Sequence, residues 1–497
     1  MRLRSIIGKR WALIACAAAL CVLLTAGFLL FSSPASAGER AQAAAQGLNS
    51  YAFDLIFRPE ERTLAVTMTL DYTNETGDPL EQLALRTWAG AYQSEDTSPA
   101  AIDALYDACY PNGFSPGGID LEGVWWNDTP ADHAYTDPAG TMLRVKIPAL
   151  SPGEGGRLLL RCTLTIPECC HRFGHAGSSW QFGNALPILA VYENGDWRSD
   201  AYSPIGDPFV SACANYAVTL TAPAGYQCAA TGSQRAETLA DGRARFIMDA
   251  PACRDFAFAL SDAWESASQK VNGIAVTAYA PTREGAKRAA RDAAQALKTY
   301  GRLYGDYAWN AYTLCAVDFP FGGMEYPGLA FIGQSNFAED WADTLELVIA
   351  HETAHQWFYA LVGSDQALQP WQDEALSEYA MLRYVLDRYG RNAYDNLVIT
   401  RVNAPMQERI RQAVTPGTPI TDFASLDIYS TVVYGRGAAF LLAVEELTGK
   451  LDAFLRAYCD TYAFQLASRE DFTALLNRIT GEDLLPLMTD YLDTLMQ

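Results

Sequence analysis

Residues 351–357 read His-Glu-Thr-Ala-His-Gln-Trp, and residues 371–379 read Trp-Gln-Asp-Glu-Ala-Leu-Ser-Glu-Tyr. On a helix, His351 and His355 stand four residues apart, so both imidazoles leave from one face and can grip a single ion. Glu352 lies beside them as a base for an attacking water. A catalytic zinc needs three protein ligands and one open position, and Glu374 on a following helix supplies the third without closing the fourth. The flanks support a helix: Glu-Asp-Trp-Ala-Asp-Thr-Leu-Glu-Leu-Val-Ile-Ala precedes the motif, with acidic residues near its start, and Gly363 stands where the helix is expected to end. So apolar a surround predicts a buried helix, where two histidines and a glutamate are costly unless paired or bound to metal.

Two further segments bracket this motif. Phe-Gly-Gly-Met-Glu-Tyr-Pro-Gly at 321–328 presents Glu325 in a glycine-rich turn, and Val-Val-Tyr-Gly-Arg-Gly at 432–437 presents Tyr434 before an apolar helix. Each taken singly reads as a turn or as packing. In this order around the zinc motif they resemble the gluzincin aminopeptidases of the aminopeptidase N family, in which Gly-x-Met-Glu-Asn precedes the zinc helix, the third ligand lies in Trp-Leu-Asn-Glu-Gly, and Tyr-x-Lys-Gly follows. The resemblance implies one Zn2+ held by His351, His355 and Glu374, with Glu352 as general base, Glu325 on the substrate's free α-amine and Tyr434 on the oxyanion. Physical chemistry agrees with these roles. A carboxylate at the end of a cleft recognises an ammonium by a charge-assisted hydrogen bond that an internal amide cannot satisfy, and a phenol can donate to a developing oxyanion.

The chain departs from that pattern at four places. Tyr326 stands for asparagine, Gln372-Asp373 for Leu-Asn, Ala375 for glycine and Arg436 for lysine. Tyr326 and Asp373 are expected to border the cleft and alter its shape and charge. Glu378, one turn after Glu374, reads as an exposed helix carboxylate, with a contact to a ligand histidine as the alternative.

Arg2, Arg4, Lys9 and Arg10 precede an uncharged run from Trp11 to Phe31, long enough to cross a hydrocarbon core of about 30 Å. The run exceeds the usual apolar core of a signal peptide, which favours an anchor, while Ala35-Ser36-Ala37 keeps cleavage open. With the basic end inside, a cell-membrane protein with an extracytoplasmic catalytic part is expected, or a secreted one if the segment is cleaved. The whole chain carries a net charge of −22. Nucleic acid is thereby an unsuitable partner, and peptides with free amino termini are suitable ones. The cysteines do not suggest a disulfide-built scaffold in a chain this long. Cys169-Cys170-His171 with His175 shows no partner pair at a structural-zinc spacing.

Between residues 50 and 265 the pattern is alternation, as in Leu64, Val66, Met68 and Leu70 or Leu158, Leu160, Cys162 and Leu164, with Pro and Gly in the loops. The stretch 181–232 resembles the amino-terminal β domain of the same family, in which a glutamine can assist amine binding; Gln181 is the candidate here. From about residue 285 the period becomes helical, interrupted by strand-like Tyr312 to Val317, and Ser468 with Asp471 forms a capping pair for a late helix. Larger family members continue into a β-sandwich and a helical domain that roofs the cleft; with no sequence left for these, a more open site is expected.

The expected fold is multidomain α and β: an N-terminal transmembrane helix, an all-β domain and, as the resemblance implies, a thermolysin-like, mostly α zinc peptidase domain. Residues 1–37 form the cytoplasmic basic end and signal-anchor or signal peptide, 38–49 a linker, 50–265 the β domain, and 266–497 the catalytic domain with a short helical tail. Three functions fit: a zinc metallopeptidase removing amino-terminal residues, a zinc endopeptidase, or a non-enzymatic peptide-binding ectodomain. Retention of both histidines, the key glutamates and Tyr434 favours the first.

Overall fold

The computed structural model describes residues 37–495. The alternating segments form strands. Ser50–Arg58 and Thr63–Thr73 pair antiparallel with Leu55 opposite Val66, and Leu64, Val66, Met68 and Leu70 are all buried, because every second side chain of a strand leaves from the same face. These two strands lie inside an eight-stranded sheet ordered Ser233–Thr238, Ala244–Cys253, Ala214–Ala222, Ser50–Arg58, Thr63–Thr73, Gly155–Thr165, Gly118–Trp126 and Thr129–Pro130. A four-stranded sheet of Gln227–Ala230, Phe258–Ser261, Ser179–Phe182 and Phe173–Ala176 meets it. Phe57 of the large sheet packs edge-on against Trp180 and Phe182, with ring centroids 4.9 and 6.1 Å apart. A second four-stranded sheet contains Leu80–Arg86 and Met142–Leu150.

A five-stranded mixed sheet follows, in the order Glu265–Val271, Ile274–Ala280, Ala311–Val317, Leu329–Gly333 and Gly323–Met324. The helix Arg283–Tyr304 makes the crossover between the parallel neighbours Ile274–Ala280 and Ala311–Val317. Thr282 caps it by accepting the Gly285 N–H, and its alanines 286, 289, 290, 293 and 296 are buried. Helical period with one strand-like segment was the expectation for this region. The sheet is larger because its outer strand Glu265–Val271 is polar and half exposed, and because Gly323–Met324 is only two residues long, so neither carries a periodic signal. That short edge strand delivers Glu325.

The helices Ala342–Ala354, Trp371–Tyr389, Gly437–Thr448, Leu451–Thr461 and Arg469–Thr480 complete the chain's core, and Ser468 and Asp471 form the expected capping box. The histidine helix ends at Ala354, well before Gly363. Tight turns take over there: Ala360 donates to the His355 carbonyl, Val362 to that of Trp357, and Tyr359 holds a φ of 141°.

The expectation of a membrane-anchored, extracytoplasmic protein is corrected. Among the described residues no helix is long and apolar enough to cross a membrane. The segment 11–31, from which a transmembrane helix and a membrane partner were read, lies outside the described residues.

Candidate active site

The histidine helix and the helix Trp371–Tyr389 meet at three side chains. His351 Nε2 lies 3.1 Å from His355 Nε2 and 3.2 Å from Glu374 Oε2, and His355 Nε2 lies 3.3 Å from the same oxygen. A tetrahedral zinc with bonds of about 2.0–2.1 Å has ligand atoms about 3.3 Å apart along its edges, so this triangle fits the metal. Two imidazole nitrogens facing each other at 3.1 Å also need a cation or a proton between them. Burial works against charge on both rings, but Glu374 and Glu378 outweigh it and push His351 up to about 9. Asp373 and Glu325 likewise push His355 up. The histidines in turn hold Glu374 below the usual carboxylate range despite its burial. Such a set of charges favours a cation at the centre.

Each ring has an outer partner. His355 Nδ1 lies 2.6 Å from Asp373 Oδ1 and 3.1 Å from the Phe358 carbonyl. His351 Nδ1 faces Glu378 at 3.4 Å, an ion-pair contact and not a well-aligned hydrogen bond. Glu378 is fully buried and pairs with Arg401, which corrects the exposed reading. Every residue from Trp371 to Leu382 is buried, so this helix has no solvent face where Glu378 could stand. Tyr434 lies on the turn Ser430–Arg436, stacks on the His351 ring at 5.6 Å, and donates its hydroxyl hydrogen to Glu374 Oε1 at 2.5 Å.

Glu352 and Glu325 face the same space. Oxygens of both, together with a His355 nitrogen, lie within 4.8 Å of one another. Among the described residues neither Glu352 Oε2 nor Glu325 Oε1 has a hydrogen-bond partner, though both are buried. Burial pushes Glu352 up to about 7 and Glu325 well above its ordinary value. Gly323 is required for this closeness, since a Cβ there would sit 2.5 Å from the Glu352 carboxyl carbon. Gln356, next to His355, fixes the loop behind Glu325 by accepting the Gly328 N–H at 2.8 Å and donating to the Tyr326 carbonyl at 3.2 Å.

A cleft of about 720 Å³ opens over these groups, lined also by Arg172, Asp207, Phe321 and Tyr429. Tyr326 and Asp373 do not border it. Tyr326 is fully buried, with its hydroxyl donating to Asn184 Oδ1 at 3.1 Å, and Asp373 points at His355. Gln181 is not a cleft residue either; its amide donates to Ser179 Oγ and the Asp318 carbonyl. His171 pairs with the Tyr92 hydroxyl at 2.6 Å and His175 stacks on Trp180 at 3.5 Å, and among the described residues neither belongs to a group that could hold a metal. The sequence reading missed Arg172 and Asp207, a buried ion pair at 2.5 Å. Both come from irregular segments before the five-stranded sheet, where no periodicity marks a side chain's direction.

Residues 289–491 match the family model described as the peptidase family M1 domain. Aminopeptidase B of Rattus norvegicus is 32% identical over 193 residues, which cover 35% of this chain and 28% of that protein. Aminopeptidase B of Homo sapiens is 30% identical over 194 residues, covering 35% and 28%. The chain thus spans under a third of the length of the curated relatives it matches. Among solved structures, an M1 zinc metallopeptidase from Deinococcus radiodurans superposes with a TM-score of 0.66 at 18% identity, over 90% of this chain and 94% of that one. A mutant of it bound to the substrate Tyr-Ser-Ala gives a TM-score of 0.65 at 18% identity, over 90% and 95%. At that identity the likeness shows a common fold.

Proposed function

We propose that the protein is a zinc metalloaminopeptidase that removes amino-terminal residues from peptides, a reading supported by the match of residues 289–491 to the peptidase family M1 domain. In this reading residues 50–265 are an amino-terminal β domain and 266–497 the catalytic domain. His351, His355 and Glu374 would hold one Zn2+. When bound, the metal supplies a Lewis acid for the scissile carbonyl and lowers the pKa of water in the site.

The chain's own residues do the rest. Glu352 takes the proton of the attacking water and returns it to the leaving amine, and a carboxylate held near 7 by burial suits both halves of that cycle. Burial and Glu374 keep the Tyr434 hydroxyl protonated, so it can turn from Glu374 to the carbonyl oxygen as that atom becomes negative. Glu325 Oε1, which has no partner among the described residues, accepts the substrate's ammonium.

The single observation carrying this reading is that Glu325, Glu352 and His355 converge within 4.8 Å. It supports a reading in which an ammonium on Glu325 presents the first peptide bond to Glu352. Titrating a zinc-loaded sample with aminoacyl arylamides, before and after Glu352→Gln, tests it. Turnover should fall by orders of magnitude in the variant, and acetylating the substrate's amine should abolish cleavage. Equal cleavage of free and acetylated substrates would establish the endopeptidase reading instead.

A further inference from the structure

Four buried polar atoms on residues that line the cleft lack a hydrogen-bond partner among the described residues: Glu325 Oε1, Glu352 Oε2, His351 Nδ1 and Arg172 Nη1. The proposed chemistry uses both carboxylates, and Glu378 faces the imidazole atom. The proposed chemistry leaves Arg172 Nη1 unused, and of the guanidinium's neighbours the Tyr202 hydroxyl lies close without giving Nη1 a well-aligned bond. Arg172 is 6% exposed and permanently charged, and its Nη1 carries two N–H groups. A donor left buried and unmet is unfavourable until an acceptor reaches it.

The group is also fixed in place. Its Nη2 donates to Asp207 Oδ1 at 2.5 Å and to the Gly206 carbonyl at 3.4 Å, and its Nε points at Met324 Sδ, 3.3 Å away. The rings of Phe209 and Phe321 lie 5.3 and 5.8 Å from its central carbon. A guanidinium held on these sides cannot swing out to water, so the free Nη1 is a preorganised donor. Met324 immediately precedes Glu325, and Arg172, Met324 and Glu325 all line the same cleft.

We propose that Arg172 forms the subsite for the substrate's first side chain and donates there to an oxygen acceptor, a carboxylate or a carboxamide. This rests on the aminopeptidase reading, which makes Glu325 the ammonium site. An apolar first residue leaves the buried N–H groups unmet, and a basic one meets a like charge. A site built to donate rejects analogues that lack the acceptor more strongly than an apolar pocket rejects a wrong shape. Asp207 already balances the charge of Arg172, so neutral and ionised acceptors are both admissible.

The test is a panel of Glu, Gln, Leu and Arg arylamides on the zinc-loaded full chain. For the wild type, kcat/KM for Glu or Gln should exceed that for Leu at least tenfold; a lead by Glu identifies a carboxylate site and a lead by Gln a carboxamide site. In Arg172→Met the ratio of the preferred substrate to Leu should fall at least tenfold. If that variant does not fold, thermal shifts of the wild type with free Glu, Gln and Leu give the same comparison without it. Turnover led by Leu or Arg, or a ratio untouched by Arg172→Met, overturns the proposal while leaving the aminopeptidase reading intact. Turnover of none of the four would end both.

Discussion

Asp373 Oδ1 lies 2.6 Å from His355 Nδ1, on the edge of the ring opposite the Nε2 that faces His351. A carboxylate in that place fixes the tautomer and raises the basicity of the other nitrogen. Asp373→Asn keeps size but loses the charge, so zinc affinity should fall about 10–100-fold. Competition with a chromophoric chelator measures it. An unchanged affinity would mean that Asp373 serves only to pack against Gln366 and His355.

Gly323 makes room for the proposed base. A Cβ there would meet the Glu352 carboxyl carbon at 2.5 Å and its Oε1 at the same distance. Backbone on one side and helix on the other leave the carboxylate to move. A displacement of about 1 Å at a reacting group costs about a hundredfold in rate, so Gly323→Ala should lower kcat by that order. Zinc content should stay at one per chain, since the ligands are untouched. Loss of metal along with activity would contradict the assignment of Gly323 to Glu352 alone.

Tyr434→Phe removes the hydroxyl and keeps the ring that stacks on His351. Loss of one oxyanion donor typically costs about 100–1,000-fold in kcat. KM and the melting temperature should change little by comparison. A variant of full activity would remove Tyr434 from the mechanism.

These residues differ in how openly the sequence displays them. His351, Glu352 and His355 are legible because helical spacing alone puts them on neighbouring faces, and Glu374 because a second acidic segment follows. Asp373 and Glu378 were misread for one shared reason. Residue type suggests a direction only when one face of an element meets water, and here the helix Trp371–Tyr389 is enclosed on all sides along its first three turns. Asp373 and Glu378 therefore turn to the two histidine rings; Tyr326, outside that helix, is buried and turns to Asn184. Arg172 and Asp207 meet 35 positions apart in irregular segments, a pairing that only the folded chain creates. The alternating strands Thr63–Thr73 and Gly155–Thr165 were readable, whereas the polar edge strand Glu265–Val271 was not.

Asp255 lets one titration be followed in the stability of the fold. It is buried, and accepts hydrogen bonds from the Phe256 N–H at 2.6 Å and from Asn184 Nδ2 at 2.7 Å. Burial outweighs both bonds and pushes its carboxyl up to about 7. A carboxyl raised in the fold above its unfolded value of about 3.9 contributes stability that is fully present below that value and is lost as pH rises toward 7. The loss is at most about 4 kcal/mol by linkage. Asp255→Asn stays neutral throughout, and the Asn184 amide can turn over to meet it while the Tyr326 hydroxyl changes from donor to acceptor. Chemical denaturation of both forms at pH 5 and pH 8 should show the variant gaining on the wild type at the higher pH. An identical difference at the two pH values would mean that Asp255 is ionised in the fold across that range, with its two donors outweighing its burial.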